Sequence, residues 1–396
     1  MSADSSKLPD FESLFVTQSE ALRDPHGIFA GPFATSGITE ETLSFEATKG
    51  FAEAIVKLDI TLLISREYEN LLLALSGTQL GISQSFFHLP HPSGIAVDPR
   101  RKRIYVAATR NPNQIIEFRP TKSVLSRVGI KAPHIDNILM PSRAKYFSGA
   151  HYFHDLAYIN GTLYANSVGQ NGIVEVDMNS DVTPPLSWWP KCTEMSRGKP
   201  DTRTNYIQLN SIAGGKTLED SYFSASGDQI RDTRPGDPDY PVDGTGVIFS
   251  GKTRKAFAKG LTRPHSARIY KNRLFVDNSG YGEVGEVIDG VYTPRISLPG
   301  WTRGLTIVKD ILFVGVSRVL PRFRQYAPGL KEGGERCGIY AIDLRTWSII
   351  GSIDFPFGNQ IFAIESISSK VTSGFLYQST TENPERERSA FGTYQI

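Results

Sequence analysis

The sequence predicts an all-β fold, a β-propeller, and three observations carry that prediction. One strand–turn–strand sentence recurs, most clearly as HDLAYINGTLYANS from His154, HSARIYKNRLFVDNS from His265 and RGLTIVKDILFVGVS from Arg303. In all three, the apolar pair of the second strand (Leu163-Tyr164, Leu274-Phe275, Leu312-Phe313) begins nine residues after the opening polar residue. Third strands follow, as GIVEVD from Gly172, GIYAID from Gly338 and a shorter EVGEVID ending at Asp289. Finally, the two ends of the chain complement each other. FAIESIS and GFLYQST after Phe362 make half a unit, and Ile60 to Leu89 holds strands without a blade of its own. Joining them closes the ring and removes exposed sheet edges.

Residues 1–57 read as an N-terminal extension on a propeller domain spanning 58–396. The extension is polar and turn-rich to about Gly37, and TEETLSFEATKGFAEAIVKL then has helical character with Thr39 as a cap. Strand alternation starts with ITLLISRE at Ile60, NLLLALSG at Asn70 and ISQSFFHL at Ile82. Blade-like units open at Ser93, His154, Asn210, His265 and Arg303, 38 to 61 residues apart, with the half-unit opening at Phe362. The count is six blades, or seven if Ile60–Leu89 stands alone. Asn160-Gly161 reads as a two-residue hairpin turn rather than a glycosylation signal. Segments 120–150, 186–206, 230–245 and 319–336 are rich in Pro, Arg and Asp and not strand-like. Loops of that length are lids, binding loops or surface decoration.

Composition excludes several classes. A net charge of +2 from 43 basic and 41 acidic residues argues against nucleic acid or an anionic membrane. Cys192 and Cys337 are too few for a disulfide framework. The opening MSADSSKLPDFESLF lacks a basic stretch followed by an apolar one, and no apolar run approaches 20 residues. The expectation is a soluble, cytoplasmic protein. No paired-Cys zinc motif, HExxH, GxSxG, P-loop or GxGxxG is present.

In a propeller, the residue that opens each innermost strand points at the central channel. That rule nominates Ser93, His154, Asn210, His265, Arg303 and Phe362. His91 can face the same space, and His151, Asp155 and Ser266 lie beside the ring. His154, His265 and Asn210 could hold a divalent metal, with water completing the shell. The histidines could instead act as acid and base without metal, Arg303 holding a carboxylate or an enolate-like charge. Asp155 could orient His154. Ser93, His91, Arg318 and Asn278 are candidates for contact with substrate. Each polar channel residue can equally be a structural group bonded to neighbouring blades and water. Asp277 and Asn166 share a register position that suits a strand-end cap. Glu365 and Asp228 are further carboxylates near strand ends.

The runs LNSIAGG at Leu209, RPHSARIYKNRLFVDNSGYGEV, PGWTRGLTIVKDILFVGVSR and ERCGIYAIDLRT resemble a bacterial family of uncharacterised conserved hypothetical proteins. The resemblance spans about residues 58 to 385. It implies a propeller-like fold and no established reaction. Its pattern falls on Asn210, His265, Asp277, Gly280, Glu283, Arg303, Ser317, Arg318 and Cys337, with Asn278 a mild departure. More distantly, the architecture is similar to gluconolactonase, paraoxonase and streptogramin-lyase propellers. Those resemblances imply a metal at the channel mouth, although this ring is richer in histidine.

Two functions are therefore expected from different classes. One is an enzyme using the His/Asn/Arg channel site on a small carboxylate-bearing metabolite or peptide, by lysis, hydrolysis or isomerisation, with or without metal. The other is a non-catalytic scaffold binding a peptide or protein through Trp188, Trp189, Tyr240, Phe323 and Tyr326 on its long loops.

Overall fold

Strand alternation and turn chemistry build the same unit six times. A computed structural model of the chain describes residues 38–98, 100–110, 112–131, 134–195, 198–331, 333–378 and 384–396, without the side chains of 322–323 and 384–388. Residues 1–37, the turn-rich part of the expected extension, lie outside the described residues, as does the Phe323 side chain. The inner strands are Pro92–Asp98 (blade 1), Phe153–Ile159 (blade 2), Leu209–Ala213 (blade 3), Pro264–Tyr270 (blade 4), Trp301–Val308 (blade 5) and Ala363–Ser368 (blade 6). Each touches the next around the circle, and blade 6 touches blade 1. Within each blade the strands run antiparallel outward from the inner one. Hairpins close on left-handed residues such as Asn160 (φ 46°) with Gly161, and Lys271 with Asn272, as two-residue turns require.

Blade 6 closes the ring without a covalent link. Ala363–Ser368 supplies the inner strand, and Ile60–Arg66, Leu71–Thr78 and Gly81–His88 supply the outer three. There are thus six blades, and Ile60–Leu89 does not stand alone. The second expected C-terminal strand is broken in two. Gly374–Phe375 runs parallel to Ile138–Leu139 on the edge of blade 1, and Tyr377–Gln378 pairs with Ser85–Phe86 on the edge of blade 6. Leu376, between the two short strands, carries the chain from one edge to the other, and Gly374 enters the first of them at φ 124°.

Other loop expectations are corrected. Ile138–Phe147, inside the supposed 120–150 insertion, is the ten-residue outer strand of blade 1. Its first four residues are buried without alternation and Pro141, Ser142 and Arg143 interrupt its middle, which conceals the strand period. Leu186–Trp188 is the outer strand of blade 2. The expected helical stretch forms two helices, Glu40–Leu43 and Lys49–Leu58, with Thr39 Oγ1 capping the first by accepting from Thr42 N. Glu46–Ala47 between them extends blade 5. Phe51, Ala54, Ile55 and Leu58 bury one face of the longer helix against blades 5 and 6. Among the described residues no helix is long and apolar enough to cross a membrane.

A closed circuit of buried side-chain hydrogen bonds joins the blades. Ser65 donates to Ser93 O (2.6 Å), Ser93 to Phe153 O (2.7 Å), and Asn166 to Leu209 O (2.8 Å). Asn210 donates to Pro264 O (3.0 Å), Ser279 to Thr302 O (2.6 Å) and Ser317 to Ile361 O (3.1 Å). Every acceptor lies at the head of the next inner strand.

Asp155 ties three blades together. From blade 2 its carboxylate accepts from Ile212 N of blade 3 (2.9 Å) and from both Nη atoms of Arg268 of blade 4 (2.8 and 3.2 Å). Removing one partner of a buried pair strands the other charge, which costs about 3–5 kcal/mol. Asp155→Ala is expected to lower the free energy of urea unfolding by about that amount, with Asp155→Asn intermediate. A loss below about 1 kcal/mol for Asp155→Ala would mean that Arg268 finds another partner.

Candidate functional site

The inner strands do not run straight past the channel mouth. Their pairing register breaks between Pro92 and Ile95, Phe153 and Leu156, Leu209 and Ser211, His265 and Arg268, and Thr302 and Leu305. An extra residue at such a bulge bends the strand and re-aims its side chains. Ser93, His154, Asn210 and Arg303 fall inside these breaks, and His265 on the edge of one. Ser266 (φ 51°) and Gly304 (φ 85°) take left-handed backbone there. A Cβ on Gly304 would lie 3.0–3.2 Å from Ile364 and Ala363, so glycine also permits blade 5 to close on blade 6.

Phe362 is the hub. The His154 and His265 rings meet it edge to face, with centroids 5.4 and 5.8 Å away. They stack on each other at 6.2 Å and 28°. The Arg303 guanidinium lies over the Phe362 ring at 3.4 Å. Gln360, with its amide oriented to satisfy both neighbours, accepts from Arg303 Nη1 (2.9 Å) and donates to Glu67 (3.0 Å). Glu67 also accepts from Thr109 Oγ1 (2.6 Å) and faces Arg110 Nε at 3.5 Å. Arg263 lies 4.4 Å above the ring of Tyr326, under a cover that also contains Tyr240, Val242, Trp301 and Val319. His154, Arg263 and Arg268 retain accessible surface although protein encloses them on every side, as expected of side chains lining an internal channel.

Several polar atoms here have no partner among the described residues. They are Nδ1 of His154, Nε2 of His265, Nε of Arg303, Nη1 of Arg263 and both carboxylate oxygens of Asp277. Nδ1 of His265 is 3.2 Å from Ser266 Oγ, which accepts from Gly304 N. Buried polar atoms are normally paired, so such a cluster is unusual. Burial holds both imidazoles well below the usual 6.5, and neighbouring cations, Arg303 foremost, push them further down. Both are neutral at pH 7. Burial also lowers Arg303 to about 10, against the pull of Glu67. The Asp277 carboxyl is raised well above the ordinary range by burial, with Ser266, short of a full hydrogen bond, and the cations Arg268 and Arg303 opposing.

This donor set does not fit the expected divalent metal. After burial, the charged neighbours that shift the two imidazoles most are cationic: Arg303, Arg110 and Arg263 on His154, and Arg303, His154 when protonated, Arg263 and Arg268 on His265. Asn210, the third expected ligand, is held in the interblade seam by its amide N–H bonds to Pro264 O and Ser226 Oγ, and no hydrogen bond joins it to either imidazole. Among the described residues no three His, Cys, Asp or Glu side chains gather as a metal shell. The cations nearest the two imidazoles oppose a further positive charge between them.

The structure thus brings His154, His265, Arg303 and Phe362 together and gives the other candidates different work. Asp155, expected to orient His154, binds Arg268. Ser93 and Asn210 belong to the interblade circuit. Asn278 accepts from Thr262 N and donates to Glu283. Arg318 clamps the 356–359 turn through the carbonyls of Pro356 and Gly358. His91, at φ 45°, lies beside Glu67 and Arg110 at the rim, its Nδ1 without a partner. His151 stacks on Phe153 and bonds Ser167 and Ser148, a structural histidine. Asn166 caps the bulge by accepting from the backbone N–H of His154 and Asp155. Asp228 pairs with Lys259, and Glu365 accepts from Thr306 and Ser366 N. Glu67, Gln360, Arg110 and Arg263 escaped the ring rule because they stand on loops outside the inner strands. Arg263 and Gln360 had a signal, each lying two residues before an inner-strand opening, His265 and Phe362.

The aromatic anchors expected for a partner are mostly interior. Trp188, Tyr240 and Tyr326 are buried, and Trp189 is sandwiched with Arg254 at 4.7 Å.

Over residues 49–375 the chain matches the family described as "Domain of unknown function (DUF4915)", and it belongs to that family. The match begins nine residues earlier than the sequence pattern implied and takes in the Lys49–Leu58 helix. No curated protein matches the chain. Among solved structures it is similar to a chain of a nidogen/laminin complex (10% identity, 78% of this chain and 98% of that one, TM-score 0.49). It is also similar to a luciferin-regenerating enzyme (12%, 68% and 77%, 0.42) and a putative gluconolactonase (14%, 68% and 89%, 0.37). At these identities the likenesses say nothing about chemistry.

Two measurements check the electrostatics. An imidazole kept neutral in the folded chain takes its proton on unfolding once pH falls below 6.5, so stability drops as pH falls through that value. From pH 7 to 5, Tm should fall less in the His154→Gln/His265→Gln double variant than in the parent; equal slopes would mean that the histidines titrate freely. Dialysis against a chelator should leave Tm unchanged, whereas a drop restored by a divalent ion would reinstate a metal centre.

Proposed function

We propose that this family member is an enzyme using general acid–base catalysis on a small carboxylate-bearing molecule admitted to the propeller channel. The observation that supports it most is the pair of stacked, neutral imidazoles, each with an unpartnered ring nitrogen, beside a guanidinium with no carboxylate partner. A neutral imidazole is the basic form, and a substrate carboxylate that offsets Arg303 raises the proton affinity which that cation holds down in the empty site.

The residues divide the work by charge. Arg303 binds the substrate carboxylate. One histidine takes the proton from the carbon beside that carboxylate, and the electron pair left behind spreads onto oxygens facing Arg303. The proton is then returned at another position or face by a histidine, giving isomerisation, or a group on the next carbon departs with the electron pair, giving lysis. Phe362 excludes water and fixes both rings and the guanidinium by contact. The Glu67–Gln360 chain holds Arg303 in place without neutralising it directly. The reading as a peptide- or protein-binding scaffold has less support, because its aromatic anchors are mostly in the interior.

Exchange of the carbon-bound proton for deuterium tests the proposal, read by NMR across a panel of hydroxy acids, keto acids and lactones in D2O. His154→Gln and His265→Gln should each slow exchange by roughly 10²–10⁴-fold. Arg303→Gln should chiefly raise the substrate concentration required. Exchange as fast in both histidine variants as in the parent would remove the imidazoles from the chemistry.

A further inference from the structure

We propose that the ligand for which the channel is built carries two negative charges, one held by Arg303 and the other by Arg263. The inference rests on the channel being an anion site, as argued above, and adds a second anchor and a substrate class. Four arginines act on the imidazole pair: Arg110, Arg263, Arg268 and Arg303. Two are neutralised inside the protein. Arg268 makes a two-pronged pair with Asp155, and Arg110 faces Glu67.

The other two have no carboxylate partner among the described residues. Arg303 is met by a neutral amide and an aromatic face, with Nε left buried and unbonded. Arg263 is met by the Tyr326 ring, with Nη1 left buried and unbonded. An aromatic face compensates a cation far less than a carboxylate does. Asp277, whose carboxyl oxygens have no hydrogen-bond partner among the described residues, makes no ion pair with either arginine. The two cations also repel each other, which adds to the lowering of Arg303. A dianion between them removes the repulsion and fills both empty donors, and a monoanion does only half of this. The shared chemistry is two negative charges on a small molecule, whether a dicarboxylate or a phosphate group. Tyr326 and Tyr240, both facing Arg263, belong to the cover over the channel. The second charge therefore lies under that cover.

Isothermal titration of the full chain at pH 8 tests this with acetate, malonate, succinate and inorganic phosphate. At least one dianion should bind tenfold or more tightly than acetate. Arg263→Gln and Arg303→Gln should each erase that margin, whereas Arg345→Gln, an exposed arginine paired with Asp343, should keep it. A margin seen with malonate or succinate indicates a dicarboxylate, and one seen only with phosphate indicates a phosphorylated ligand. If Arg263→Gln fails to fold, selectivity in the parent still decides. Acetate binding as tightly as every dianion would overturn the two-charge inference and leave the acid–base reading intact. No binding of any of the four anions would overturn both.

Discussion

The circuit of hydrogen bonds from one blade to the carbonyl heading the next inner strand is the constraint on which the rest of this structure depends. Each bond on its own contributes about 1 kcal/mol net. Their placement matters more than their sum. The donors Ser65, Ser93, Asn166, Asn210, Ser279 and Ser317 are all buried, and so are the six carbonyls they reach. In five of the six, the pinned carbonyl belongs to the residue at or immediately before a channel-facing position: Phe153 before His154, Leu209 before Asn210, Pro264 before His265, Thr302 before Arg303 and Ile361 before Phe362. Fixing that peptide fixes the direction in which the following side chain leaves the strand. The ring is therefore a positioning device for the site as well as an interblade fastening.

Charge is partitioned over the same scaffold. Neighbours in sequence take opposite roles, because a bulge turns them apart. His154 faces the channel mouth, and Asp155 turns to the interblade seam and neutralises Arg268. His265 and Ser266 divide in the same way, Ser266 bonding Gly304 N of blade 5. The structural pairs, Asp155 with Arg268 and Glu67 with Arg110, leave Arg303 and Arg263 as cations that the fold itself does not neutralise. Burial first, and that asymmetry second, account for the low proton affinity of both imidazoles, and the surplus of cations argues against a further cation between them.

How far the sequence carries can be judged from individual residues. The strand–turn–strand period, the left-handed turn at Asn160-Gly161 and the complementary chain ends were enough for an all-β propeller closed by its termini. They also picked out His154, His265, Arg303 and Phe362, since an inner-strand opening is a repeat position and repeat positions are visible along one chain. Ile138–Phe147 was missed because an outer strand buried without alternation over its first four residues shows no strand period. Trp188, Tyr240 and Tyr326 were misread as surface anchors, for a loop sequence does not reveal what it packs against.

By itself, then, the sequence determined what depends on local pattern: element type, turn chemistry and the residues that open each inner strand. Tertiary structure alone decided between six blades and seven, and what those residues do. Gln360 and Glu67 reach Arg303 from segments that are far apart in the chain, and Asp155 finds Arg268 113 residues away. Protonation, pairing and ligand preference depend on which charges share a low-dielectric space. Residues distant in sequence enter that space only when the ring closes.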